Sequence, residues 1–145
     1  MTRTEKLAPA YRIAELKKRD AAKIAENSKQ KVLEYERKLQ ELIDFRKDYS
    51  LSSHFSGSVL SASQLVEHQK FMRQLDEGIR IIEKQLEGHK QDSEIDRRVW
   101  LDAYQRSDAM DKLIGKLKKM EQGARDNRLE NEIDERSQSR RVESK

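Results

Sequence analysis

Side chains capable of chemistry are plentiful in this chain, but their spacing does not assemble them. Three histidines, His54, His68 and His89, are the candidate metal ligands or general bases. They are not spaced as ligands, and no carboxylate pattern accompanies them to orient a ring. Without a single cysteine, disulfides and thiolate metal sites are excluded, which suits a reducing compartment. The 27 carboxylates could do acid–base work only where a cavity desolvates one of a pair and raises its pKa. Mixed with 31 Lys and Arg, they read instead as solvated faces laced with i,i+4 ion pairs. Gly57, Gly78, Gly88, Gly115 and Gly123 are isolated, so no Gly-rich phosphate loop exists. The sequence therefore predicts no catalytic, cofactor-binding or metal residue and a non-enzymatic protein with no cofactor.

The remaining chemistry is that of protein recognition. Trp100 is the sole tryptophan; it is expected to pack on a helix seam against the start of helix 1, with exposure for partner binding as the alternative. Two apolar stripes stand apart: Leu42, Phe45 and Tyr49 at i, i+3, i+7, and Phe71, Leu75, Gly78 and Ile82 at i, i+4, i+7, i+11. Seven residues over two turns cannot all face one partner helix. Phe45 and Phe71 fall outside the main seam, so part of each stripe is expected to face water or another protein.

These residues must be carried on long helices. Charged residues are 40% of the chain and apolar ones 34%, with five Gly and one Pro, which leaves a narrow seam and little turn punctuation. From Leu65 a 3-4 alternation passes through His68, Met72, Leu75, Ile79, Ile82, Leu86, His89, Ser93, Asp96, Trp100, Ala103, Ser107, Met110, Ile114, Leu117, Glu121 and Ala124. Such a repeat demands a left-handed supercoil against a partner helix, with a polar weak point at His89, Ser93 and Asp96. The same register, more loosely held, passes through Leu7, Tyr11, Ala14, Lys18, Ala21, Ala25, Ser28, Val32, Tyr35, Leu39, Leu42, Arg46 and Tyr49.

The one convincing break is the Ser-rich stretch around Gly57, closed by Ser61 and Gln64 in the form of a capping box. The expected fold is all-α, a single coiled-coil hairpin over residues 1–145. Helix 1 is expected at about 9–50, with Pro9 in its first turn. A turn at about 51–62, helix 2 at about 63–136 and a frayed tail at 137–145 complete it. Pairing Tyr49 with Ser63 puts Pro9 near Ala103, so the second helix overshoots by roughly 30 residues, or about 50 Å. On that overhang Met110, Leu113, Ile114, Leu117 and Met120 form a stripe that needs a partner. The first 20 residues carry six basic and three acidic groups, and residues 112–145 carry ten and seven. A hairpin brings both basic segments toward one end, where an acidic surface is the favoured partner. No apolar run approaches the roughly 18 residues of a membrane span, and the N-terminus lacks a signal-peptide core. A cytoplasmic protein is expected.

The run from Leu42 to Tyr49 (Leu-Ile-Asp-Phe-Arg-Lys-Asp-Tyr) resembles the end of the first helix in the flagellar export protein family FliJ. So do Phe71, Leu75, Gly78 and Ile79 after a short turn, then Trp100 with Arg106 and Leu113, and the closing Arg128, Asn131 and Glu135. The resemblance covers essentially the whole chain. It implies a central stalk that looks like the coiled coil of the rotary ATP synthase γ subunit and inserts into the hexameric flagellar export ATPase. It also implies contact with the cytoplasmic region of the export gate membrane protein and with export chaperones, at the inner membrane. By resemblance, Leu42, Phe45, Tyr49, Phe71, Leu75, Gly78 and Ile82 form the gate surface. Ile82 stands where a more polar residue is usual, and Gly78 where Ala is. For the ring, the expected contacts are Met110, Leu113, Ile114, Leu117, Met120, Arg125 and Arg128.

Three alternatives compete. Stalk proteins of related non-flagellar type III secretion systems share the layout. A generic homodimeric scaffold would pair its seams between chains. A nucleic-acid binder would use the basic end, but lacks aromatic interleaving and a recognised module, and 27 acidic residues oppose it.

Overall fold

The computed structural model describes residues 2–55 and 61–143, with the side chains of 52–55 excepted. It contains two helices, α1 (Arg3–Phe55, 53 residues) and α2 (Ala62–Glu143, 82 residues), which form an antiparallel hairpin. Gly57 and the middle of the expected turn lie outside the described residues.

Both helix starts are built by reciprocal caps. At α2 the Gln64 N–H donates to Ser61 Oγ (3.2 Å) and the Ser61 N–H to Gln64 Oε1 (3.0 Å). The expected capping box is therefore present, and it satisfies two of the donors that a helix start orphans. An unforeseen twin opens α1: the Glu5 N–H donates to Thr2 Oγ1 (3.2 Å) and the Thr2 N–H to Glu5 Oε2 (3.3 Å). Thr2-x-x-Glu5 starts the helix at Arg3, so Pro9 lies inside α1 rather than in its first turn. There it removes the N–H that would bond the Glu5 carbonyl, a vacancy water can fill because both residues are exposed. The other ends also outrun expectation, α1 reaching Phe55 and α2 reaching Glu143.

The seam lies where the periodicity puts it. Every seam position expected on α1, from Leu7 to Tyr49, is at least half-buried, as is every one on α2 from His68 to Glu121. Leu65 and Ala124, the outermost positions, are exposed and mark where pairing stops.

The helices divide into two compact units, Ala21–Trp100 and Met1–Asp20 with Leu101–Lys145. In the first, Ala21, Leu75 and Leu86 are buried; in the second, Leu117 and Ser107 are. Within Ala21–Trp100, Tyr49 stacks on His68 (5.0 Å), Tyr35 meets His89 (4.4 Å) and Ser28 hydrogen-bonds Asp96. Within the other unit, Glu15 meets Ser107 and Thr4 meets Glu121.

That register corrects one expectation. Tyr49 pairs with His68 and Phe71 rather than with Ser63, because α1 continues to Phe55 before the chain turns. Within the Met1–Asp20 and Leu101–Lys145 unit, α1 starts at Arg3 and Thr4 meets Glu121, so α1 covers α2 as far as Glu121 instead of stopping near Ala103. The overhang is real but shorter: the 22 residues after Glu121, about 33 Å at 1.5 Å each.

Candidate docking surfaces

In the Ala21–Trp100 unit, an aromatic cluster forms from residues that the seam alone could not accommodate. Tyr49 occupies the seam, wedged between His68 and Phe71 with ring centroids 5.0 Å and 4.7 Å away. Phe45 lies on the flank, edge-on to Phe71 at 6.4 Å and 75°. Phe45 remains 51% exposed and Phe71 half-buried. This is the geometry of an apolar anchor displayed beside its own support. Arg46 rims the cluster, its Nε donating to Asp76 Oδ1 at 2.5 Å across the two helices.

The other residues of that expected surface face inward. Leu75 is a core residue, and Leu42, Tyr49 and Ile82 are half-buried on the seam. At Gly78 a Cβ would sit 3.4 Å from Leu42 Cδ2, so the close neighbour is the chain's own α1. Trp100 is half-buried on the seam, as its spacing requires.

In the Met1–Asp20 and Leu101–Lys145 unit, the apolar stripe expected to stand without a partner is split. Leu117 is only 9% exposed, and Met110 and Ile114 are half-buried against α1. They close the hairpin because the register carries α1 past them. Leu113 and Met120 point outward, Met120 with 68% of its surface free. Beyond Glu121 every described residue is exposed. This free helix carries Arg125 and Arg128, then Leu129 at 56% and Ile133 at 64% exposure. Spacing of i, i+4, i+7, i+11 puts Leu129, Ile133, Arg136 and Arg140 on one face. A concavity between Ile133, Arg136, Ser137 and Arg140 lies on it.

Sequence reasoning missed a third feature. Ser107, 2% exposed, is the most deeply buried side chain described, and it is polar. Its hydroxyl donates to Glu15 Oε1 at 2.5 Å, and Lys18 Nζ donates to the same oxygen at 3.0 Å. These two donors hold the Glu15 carboxyl below the usual carboxylate range, and Glu15 in turn holds the Lys18 ammonium up. Burial, then Asp111 and Glu15, push the Tyr11 phenol up. With only 2% of its surface exposed, Ser107 offers its oxygen to no substrate. The cluster binds helix to helix. Ser107 was legible as a seam position, but Glu15, one step off the α1 seam, carried no apolar signal. Among the described residues, no group of three or more His, Cys, Asp or Glu is placed to hold a metal ion.

These features define a class: a two-helix coiled coil with an exposed aromatic edge and a free amphipathic helix end. The Flagellar FliJ protein family model matches residues 3–144, and the chain belongs to the FliJ family, whose members serve flagellar type III export as stalk proteins. No curated protein and no solved structure matches it. Among the described residues, no helix is long and apolar enough to cross a membrane.

Proposed function

We propose that this chain is the central stalk of the flagellar export ATPase, entering the hexameric ring with the free end of α2 and meeting the export gate with the aromatic cluster. The observation that carries this reading is the overhang: a helix exposed on every side, continuing about 33 Å past its partner, with apolar and basic side chains sharing one face. An apolar stripe exposed to water gains by burial. Arg125, Arg128, Arg136 and Arg140 favour a surface rimmed by carboxylates.

The register redistributes the expected roles. Leu113, Met120, Arg125 and Arg128 are available for ring contact, joined by Leu129 and Ile133. Met110, Ile114 and Leu117 support them by holding the hairpin closed. At the gate surface, Phe45 and Phe71 are the contacting rings, while Leu75 and Gly78 set their spacing from within. Placement beside the inner-membrane export apparatus, and contact with export chaperones, belong to the same proposal, which membership of the family supports.

The test is stimulation of the export ATPase by the purified chain. A Leu129→Asp, Ile133→Asp double variant is expected to keep its helicity and melting temperature while stimulation falls at least tenfold. Full stimulation by a folded double variant would remove the overhang from the mechanism.

A further inference from the structure

The seam of the Met1–Asp20 and Leu101–Lys145 unit has an ambiguity that its apolar residues do not resolve. A repeat held in phase over many heptads permits pairings displaced by seven residues with almost the same layers. Displacing the native pairing in one direction sets Glu15 opposite Ile114, and in the other opposite Trp100. Ser107 would then face Ala22 or Ala8. Each displacement leaves a carboxylate and a hydroxyl without the partner they have now. Thr4 supplies a second check, its N–H and hydroxyl both reaching the Glu121 carboxylate at 3.3 and 3.1 Å. Displaced by a heptad, Thr4 meets Ile114 or Arg128 and loses both bonds.

We infer that Glu15, Ser107 and Lys18, with Thr4 and Glu121, form a register lock that fixes how far α2 protrudes beyond α1. The argument rests on one contrast. Among the described residues, Ser107 is buried more completely than any apolar side chain in the seam, at a position where the repeat calls for an apolar residue. A buried polar side chain at a seam position, here bonded to a part-buried carboxylate beside it, contributes little stability relative to an apolar replacement, but it discriminates between pairings. One heptad of slippage would lengthen or shorten the free end by about 10 Å. On the ring-entry reading, the lock therefore sets the depth of insertion; the register claim itself does not need that reading.

The absence of cysteine from the chain makes the test clean. Three cysteine pairs are introduced into the full-length protein. Ala14→Cys with Met110→Cys reports the native register; Ala14→Cys with Leu117→Cys, and Ala14→Cys with Ala103→Cys, report the two displaced ones. In the otherwise unaltered chain, only the native pair is expected to oxidise readily. Adding Ser107→Ala and Glu15→Ala should raise cross-linking of the displaced pairs roughly tenfold, as loss of one charge-assisted hydrogen bond implies. Ser107→Ala alone should do the same with little change in melting temperature, because Glu15 keeps its bond to Lys18, which separates register from stability. If displaced pairs remain silent in variants that stay helical, the lock is refuted. The readout involves no partner, so a failed ATPase experiment and a failed register experiment are distinguishable.

Discussion

Truncating Leu117 to alanine tests the corrected register directly, because the two possible pairings assign this residue opposite environments. Were it on an uncovered overhang, the substitution would change stability by less than about 0.5 kcal/mol, as surface changes do. In the structure it is 9% exposed and, among the described residues, the only buried hydrophobic one of its unit. The change removes three carbons; at about 0.8 kcal/mol per buried carbon, the transfer loss is about 2.4 kcal/mol. A thin two-helix seam can collapse partly around the gap, so the cavity contribution is small and the total stays near the bottom of the range of about 2–5 kcal/mol for such truncations. Leu129→Ala is the internal control, since Leu129 is the same residue type at 56% exposure. Urea unfolding followed by circular dichroism, together with amide exchange over residues 101–121, should show Leu117→Ala weakened by about 2–3 kcal/mol and Leu129→Ala unchanged. Equal effects at the two positions would refute the register, and with it the boundary between the supported and free parts of α2.

Two further outcomes are expected. Gly78→Ala should stabilise the hairpin by up to about 1 kcal/mol, the difference in helix propensity, because the added methyl meets Leu42 Cδ2 at ordinary contact distance; a lower urea midpoint would show that Leu42 cannot give way. Glu94 is held at a pKa of about 2, first by the hydrogen bond from Arg97 and then by Arg98. Because its folded pKa lies below its value of about 4.5 when unfolded, its contribution is present above pH 4.5 and lost as pH falls toward 2. A carboxyl NMR titration should find that midpoint, and Glu94→Gln should flatten this part of the acid limb; a midpoint near 4.5 would show the ion pair absent in solution.

The fold was largely readable because a coiled coil writes its contacts into spacing. Each seam residue from Leu7 to Tyr49 and from His68 to Glu121 was identifiable from 3-4 alternation, even where the residue is Lys18, Ser28, Asp96 or Ser107. The capping box at Ser61 was equally legible, and the same logic applied to Thr2 and Glu5 would have located the true start of α1. Pro9 drew attention away, since proline is most familiar in a first turn. The aromatic cluster was half legible: Phe45 and Phe71 were expected off the seam, but their mutual edge-to-face contact depends on register.

Register itself was the quantity that spacing could not supply, and the reason is physical. A heptad pattern specifies which face is buried and is indifferent to translation along the axis by whole repeats. Translation is arrested by groups whose energy changes sharply when their partner is removed. In this chain those are polar: Ser28 with Asp96, Arg46 with Asp76, Glu15 with Ser107, Thr4 with Glu121. Read as isolated residues, they look like defects in an otherwise apolar seam. Read as pairs, they all agree on one alignment within their own unit, and the ring contacts of Tyr35 with His89 and of Phe45 with Phe71 fit it. Among the described residues only Ala21, Leu75, Leu86 and Leu117 are buried hydrophobic ones, which makes the point sharper. With so little apolar burial to separate one alignment from the next, polar pairing decides where α1 ends against α2, and thus which leucines and arginines remain free for a partner.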